Sequence, residues 1–460
     1  MTTTSAATAP KAGAWRPYQY YVLFVLMLVN TSNYLDRGIL GILQQPIKDD
    51  LRLTDWQLGI LGGPAFAILY SVAGLPIARL AERKNRVTIL SAALAFWSTM
   101  TALCGVAGAY GQLLLFRLGV GAGEGACTPV THAILADSFT ARQRGMAMAV
   151  MTTSIPFAHM IAPLAGGLIA HTWGWRAAFI AAGLPGLLIA VLMKTTVRDG
   201  RAKDEHGAPV RPQTSKFLAD VKLIFSIRAF LFLFIASAFL GQAITGTNSF
   251  SASYFIREHH MTVAQAGIIS AVGLGVAGLC GTMLGGFLAD RFAGAHGRSY
   301  AYVCALAAGL AGVSFLGALA SGALPLAVTF FLIANVASEM KNGPNFAAVQ
   351  NLAPPHMRAT ASAVLMVGVI VIGAGFGPIE VGAASDFIAS RNFPAALGAF
   401  SVVCPGGKAL ANAAPDIVAS CKAASAAGLR GGLVVPCIAY MIAMLFFLLS
   451  GRAIRAKLQT

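Results

Sequence analysis

Four ionisable residues stand inside long apolar runs of this chain: Asp36, Arg37, Arg117 and Glu124. A charge at the middle of a bilayer costs ~2.5–3.5 kcal/mol on insertion scales, so such residues are functional candidates by default. Arg117 and Glu124 are about two helical turns apart and share one helix face, separated by about 10 Å along the axis. One side chain does not comfortably bridge that gap, and a group from another helix is expected between them. Asp36 and Arg37 supply a carboxylate and a guanidinium from a different run, and all four are expected to meet at a cavity. Burial favours the neutral form of a carboxylate, and a nearby Arg favours the charged form. A motion that changes both lets the acid take a proton in one state and lose it in another, which is the core of proton coupling. Glu124 is the first candidate for that acid and Asp36 the second. Arg37 is the partner whose distance changes, and Arg117 either tunes the acid or binds an anionic headgroup. A static buried ion network tying two helices together fits the same residue types.

A second polar set lies in the stretch SEMKNGPNFAAVQ, with Glu339, Lys341, Asn342, Asn345 and Gln350 around a Gly343-Pro344 break. That break interrupts helix hydrogen bonding and favours a kink lining a cavity. Lys341 can meet a phosphate or carboxylate; it can equally pair with Glu339 or snorkel. Gln242, Thr245, Thr247 and Asn248 form a further polar band, suited to substrate contact or to hydrogen bonds between helices. The candidate substrate contacts are therefore Lys341, Asn342, Glu339, Asn345, Gln242 and Thr245. The apolar candidates Phe66, Met151, Phe157, Phe250 and Phe346 suit an amphipathic ligand, or plain helix packing. The directions of His159 and Glu380 are open.

The elements that must position these groups follow from composition. Hydrophobic residues make up 57% of the 460 and charged residues 11%, where soluble domains carry about 25% charged. A soluble chain of this make-up would expose apolar surface it could not cover, whereas a bilayer acts as its solvent. The formal net charge of +16 comes from Lys and Arg between apolar runs, not from a basic domain, so nucleic acid is not an expected partner. Runs of about 20 apolar residues predict an all-α membrane protein with twelve transmembrane helices in two pseudo-symmetric six-helix bundles. They are placed near 18–43, 56–80, 87–107, 110–135, 145–170 and 174–194, then near 229–255, 263–288, 300–320, 323–351, 359–388 and 432–451.

The expected domains are a cytoplasmic tail 1–17, a first bundle 18–194, a cytoplasmic linker 195–222 and a second bundle 223–456. The linker leaves room for a short amphipathic helix near 215–224. Most Lys and Arg fall on the side of both termini, which predicts cytoplasmic termini in a cell inner (plasma) membrane. The connection 389–431 then lies outside and holds Cys404 and Cys421, which an oxidising compartment would allow to pair. No metal-ligand spacing, nucleophile–base arrangement or phosphate-binding loop is present, so neither an enzyme, an ATP-driven pump nor a bound cofactor is expected.

The halves repeat. Ala78-Arg-Leu-Ala-Glu-Arg83 follows the second helix, and Gly286-Phe-Leu-Ala-Asp-Arg291 follows the eighth. This pattern resembles the signature loop of the major facilitator superfamily. The first copy departs from it at Ala78, Glu82 and Asn85. Pro163-Leu-Ala-Gly-Gly167 and Gly174-Trp-Arg-Ala-Ala-Phe179 are further marks. Within the superfamily, three stretches resemble the Spinster-like branch: Asn33-Tyr-Leu-Asp-Arg37, Arg117-Leu-Gly-Val-Gly-Ala-Gly-Glu-Gly125 and Ala136-Asp-Ser-Phe139. Tyr-x-Asp-Arg in the first helix is also similar to organic-anion symporters. The resemblance implies a proton-coupled, alternating-access transporter of lipid-like amphiphiles, working as a monomer among membrane lipids. Symport of small organic anions such as sugar acids is the alternative. The signature-loop residues Glu82, Arg83, Asp290 and Arg291 would pair across helix ends when the cytoplasmic gate is closed.

Overall fold

The computed structural model describes residues 15–199, 217–292, 298–354 and 357–456. Most of the expected tail and the middle of the expected linker, residues 200–216, lie outside the described residues. In the first half, α1 is Pro17–Leu51, and α2 is Asp55–Gly62 resumed as Pro64–Arg83. α3 is Arg86–Cys104, and α4 is Tyr110–Glu124 resumed as Cys127–Ser138. The helices Ala141–Thr152 and Ser154–Thr196 follow. At Gly174 the backbone takes φ 84° and turns back, a conformation that glycine adopts without a Cβ penalty. It divides α5, from Ala141 to this turn, from α6, which ends at Thr196.

The second half opens with a short helix, Phe217–Ser226, where the sequence left room for one. It leads into α7 (Arg228–Glu258). α8 consists of Val263–Ser270, a π-helical segment Ala271–Ala277, and Gly278–Arg291. α9 is Arg298–Ala320, and α10 is Leu324–Glu339 resumed as Asn342–Leu352. α11 consists of Arg358–Val367, a π segment Gly368–Ala374, and Gly375–Asn392, and α12 is Val434–Ala456. These are twelve long helical elements in two sets of six, consistent with the twelve expected; among the described residues nine stretches are long and apolar enough to cross a membrane, and there is no strand.

The connection 389–431 differs from its expected form. α11 continues to Asn392, and Pro415–Gly432 is a helix that packs on α11 and runs into α12. Its Ala-rich sequence with Pro at the first position forms a helix readily. Cys404 and Cys421 are joined by a disulfide. Phe393, Ala424 and the flanking Phe400, Val403 and Ile417 pack around it as a small core of their own.

The two bundles meet along α2–α11, α5–α8 and α1–α7. Glycines set how closely. A methyl group added at Gly267 would lie 2.4 Å from the Pro163 carbonyl oxygen, one at Gly59 2.5 Å from that of Pro378, and one at Gly382 2.1 Å from that of Asp55. Backbones touching at this range exclude any larger side chain. All of these contacts lie in the half of the molecule away from the termini, so the bundles are closed against each other at that far end.

Candidate functional site

Arg37 of α1 pairs with Glu124 of α4. Its Nε donates to Glu124 Oε2 at 2.7 Å. The guanidinium sits over the rings of Tyr34, Phe66 and Tyr70, with centroids 4.7–5.1 Å away. Such cation–π contacts hold an Arg in place without neutralising it. Glu124 is 0% exposed and the Arg37 side chain 26%. Glu124 Oε1 is buried with no hydrogen-bond partner among the described residues.

The expectation that all four charges open onto one cavity needs correction: Asp36, Arg117 and Glu124 are buried, and only Arg37 keeps partial exposure. Asp36 is buried inside the first bundle, where Arg117 Nη1 donates to its backbone carbonyl at 3.2 Å. Both Asp36 carboxylate oxygens and Arg117 Nε lack a hydrogen-bond partner among the described residues. The reason is geometric. Consecutive helical residues point about 100° apart, so Asp36 and Arg37 cannot look the same way.

In the second bundle, Glu339 Oε2 accepts from Asn342 Nδ2 at 2.7 Å, and Lys341 Nζ lies 3.6 Å from the same oxygen. Asn342 Nδ2 also donates to Thr282 Oγ1 of α8 at 3.0 Å. Gln242 of α7 donates to Glu380 of α11, which settles the direction of that acid. Thr245 Oγ1 donates to the Gly373 carbonyl at 3.0 Å. Asn345 is turned into helix packing, where its Oδ1 accepts from Ser237 at 3.1 Å. Phe66, Met151 and Phe250 are buried, while Phe157 and Phe346 are exposed.

A further charged cluster seals the far end, and sequence reasoning missed it. Asp55, at the start of α2, receives four donors. Its Oδ1 accepts from Lys48 Nζ at 2.5 Å and Arg257 Nη2 at 2.7 Å. Its Oδ2 accepts from Arg257 Nη1 at 2.7 Å and Ser385 Oγ at 2.6 Å. Arg257 Nε donates to Gln45 Oε1 at 2.6 Å, and Asp386 accepts from the Asp55 and Trp56 amides. The side chains of Lys48 and Asp55 are each 3% exposed and that of Arg257 6%. Lys48 and Asp55 belong to the first bundle, Arg257, Ser385 and Asp386 to the second. The disulfide-bearing connection covers this cluster: a Cβ at Gly407 would stand 3.3 Å from Lys48 Cε, and Lys408 Nζ lies 3.1 Å from Asp49 Oδ2. The sequence signal was there, since four charges flank α1, α2, α7 and α11. Charges at helix ends are ordinary, however, and Thr54-Asp55-Trp56-Gln57 also reads as an N-terminal capping box.

At the end near the termini, Glu82, Arg83, Asp290 and Arg291 are exposed. There Arg86 pairs with Asp137, and Arg144 donates to the carbonyls of Ala136 and Phe139. The Ala136–Phe139 stretch thus serves to tie the first bundle's own helix ends.

A model of the Major Facilitator Superfamily matches residues 26–378. The chain is 33% identical to an MFS-type efflux pump of Mycolicibacterium smegmatis, over 81% of this chain and 86% of that protein. It is 26% identical to a probable galactarate/D-glucarate transporter of Bacillus subtilis, over 62% of this chain and 67% of that one. A solved structure of a bacterial homologue of the human lysosomal transporter Spinster, inward-facing and unoccupied, superposes with a TM-score of 0.83. It is 28% identical to this chain and covers 96% of it and 99% of its own length.

Proposed function

The chain belongs to the major facilitator superfamily and is an integral membrane transporter, not an enzyme; from that premise we propose that it moves amphipathic organic molecules by proton-coupled alternating access. The observation that carries this reading is the Arg37–Glu124 pair. Glu124 binds Arg37, the partly exposed member of the four charges, and its other oxygen is buried without a partner among the described residues. Protonation would remove Arg37's acceptor and free the guanidinium to move or to meet an anionic group. Release of the proton would recapture it. Asp36, deep in the same bundle against Arg117, is the second acid. Lys341, Asn342, Glu339, Gln242 and Thr245 contact substrate across the seam. With the termini cytoplasmic in the plasma membrane, the closed far end is extracytoplasmic and this state faces inward. The signature-loop residues Glu82, Arg83, Asp290 and Arg291 then belong to the gate that closes in the opposite state. The exposed Phe157 and Phe346, and the likeness to the Spinster homologue, support a lipid-like substrate. The similarity to a sugar-acid transporter supports a second reading, symport of small organic acids.

Thermal stabilisation of the purified protein by a lysophospholipid, a sphingoid base and galactarate, compared across pH, separates the two. Stabilisation by the amphiphiles is expected, and stabilisation by galactarate alone would favour the second reading. Uptake of the stabilising compound into vesicles should follow an imposed proton gradient, and uptake indifferent to that gradient would remove the coupling.

A further inference from the structure

The proton-coupling reading leaves His159 without a role, and its position gives it one. His159 lies on α5 beside Met160, where α5 and α8 touch: a Cβ at Gly275 would stand 2.7 Å from Met160 Cβ. Three residues on, a Cβ at Gly278 would stand 3.5 Å from Glu339 Cγ. The glycine face of α8 therefore packs against Met160, next to His159, and against Glu339, which stands near enough to the imidazole to act on its charge. On its other side the imidazole stands edge-on to Tyr34, with ring centroids 6.0 Å apart, and Arg37 lies over that same Tyr34 ring at 5.1 Å. The groups facing His159 are thus Tyr34 and Arg37 from α1 and Glu339 and Lys341 from α10. The α8 segment Ala271–Ala277 brings no titratable side chain.

In this arrangement Glu339 is the counter-ion of Lys341, 3.6 Å away, with Asn342 bonded to both. The ammonium is neutralised, and an acidic substrate group must compete with Glu339 for it. A proton on His159 changes the balance. Glu339 then answers to two cations, one from each bundle, and the site as a whole gains one positive charge.

We propose that His159 is a positioning residue that draws Glu339 away from Lys341 when it is protonated, so that Lys341 and Asn342 bind the phosphate or carboxylate of the substrate. The proposal rests on the transporter reading for a substrate but not on Glu124 or on a gradient. Proton binding and anion binding are reciprocally linked, so anion affinity rises as the imidazole is protonated.

The test is equilibrium binding to the purified full-length chain in detergent, with no gradient, measured from mildly alkaline to mildly acidic pH. The probes are lysophosphatidylglycerol for the lipid source and galactarate for the free-acid source. Affinity for whichever probe binds should rise about 5- to 10-fold as pH falls through the imidazole range. His159→Gln should hold affinity at the weak, alkaline level. His159→Arg, a permanent cation, should hold it at the tight level. Glu339→Gln should bind tightly with little pH dependence, and Lys341→Gln should lose binding at every pH. If His159→Gln and His159→Arg keep the wild-type pH slope, or Lys341→Gln binds as wild type, the proposal is overturned. Because the readout is binding, a failure of gradient-driven transport leaves this result separate. Should His159→Gln fail to fold, the Glu339→Gln and Lys341→Gln pair decides alone.

Discussion

Two buried charge clusters in this molecule are built in opposite ways. At the far end, Asp55 has all its acceptor positions met by Lys48, Arg257 and Ser385. Within the first bundle, both Asp36 oxygens and Glu124 Oε1 are equally buried but make no bond of full hydrogen-bond geometry among the described residues, with Thr101 and Trp97 standing beside Asp36 and Asn33 beside Glu124. A saturated buried network fixes one arrangement, whereas a buried carboxylate with an unmet oxygen is costly in its charged form. The first cluster is suited to locking a state, and the second to changing its protonation between states. The clusters also differ in what they join. Asp55 binds the two bundles to each other, while Glu124 and Asp36 bind helices within one bundle.

The most damaging change to this contrast is Asp55→Ala. It strands Lys48 and Arg257 as unpaired buried cations, a loss of about 3–5 kcal/mol. Spin-label distances across the far end should lengthen as the closed state loses population, and an unchanged distance distribution would break the contrast. Replacing Cys404 and Cys421 by Ser opens a loop of 17 residues and should cost about 3 kcal/mol on the chain-entropy account. The loss is expected in the thermal stability of the covering connection, and hydrogen exchange confined to residues 393–432 would localise it. Gly382→Ala drives a methyl against the Asp55 carbonyl and should cost about 1–3 kcal/mol, read as a lower melting temperature together with partial opening of the far end. The smallest effect belongs to Lys408→Ala. Its pair with Asp49 is half exposed, and a change of at most about 1 kcal/mol in melting is expected, shrinking with added salt.

The fold was legible where physics is local. Long apolar runs placed the passes, and the Lys and Arg distribution suggested their direction. The charges of the first and fourth helices were read as one group, and Arg37 of α1 does pair with Glu124 of α4. Where the reading failed, the deciding fact was three-dimensional. Asp36 and Arg37 sit together in sequence but point to different sides of one helix. Asp55, Lys48 and Arg257 looked like ordinary helix-end charges because nothing in the sequence says that α1, α2, α7 and α11 converge. Asn345 shares a polar stretch with Asn342, yet the twist of α10 turns it onto Ser237. The π segments in α8 and α11 consist of Gly, Val, Ile, Leu and Ala, which a regular helix would accommodate as well.

We propose that Glu124 carries the coupling proton while the Asp55 cluster only sets which end is closed. Glu124→Gln keeps the shape and an acceptor for Arg37 but removes the titration. Reconstituted in vesicles, this variant should still exchange substrate in counterflow and should lose at least about 10-fold of its gradient-driven uptake. A Glu124→Gln protein that accumulates substrate in response to a proton gradient as wild type does would contradict the account.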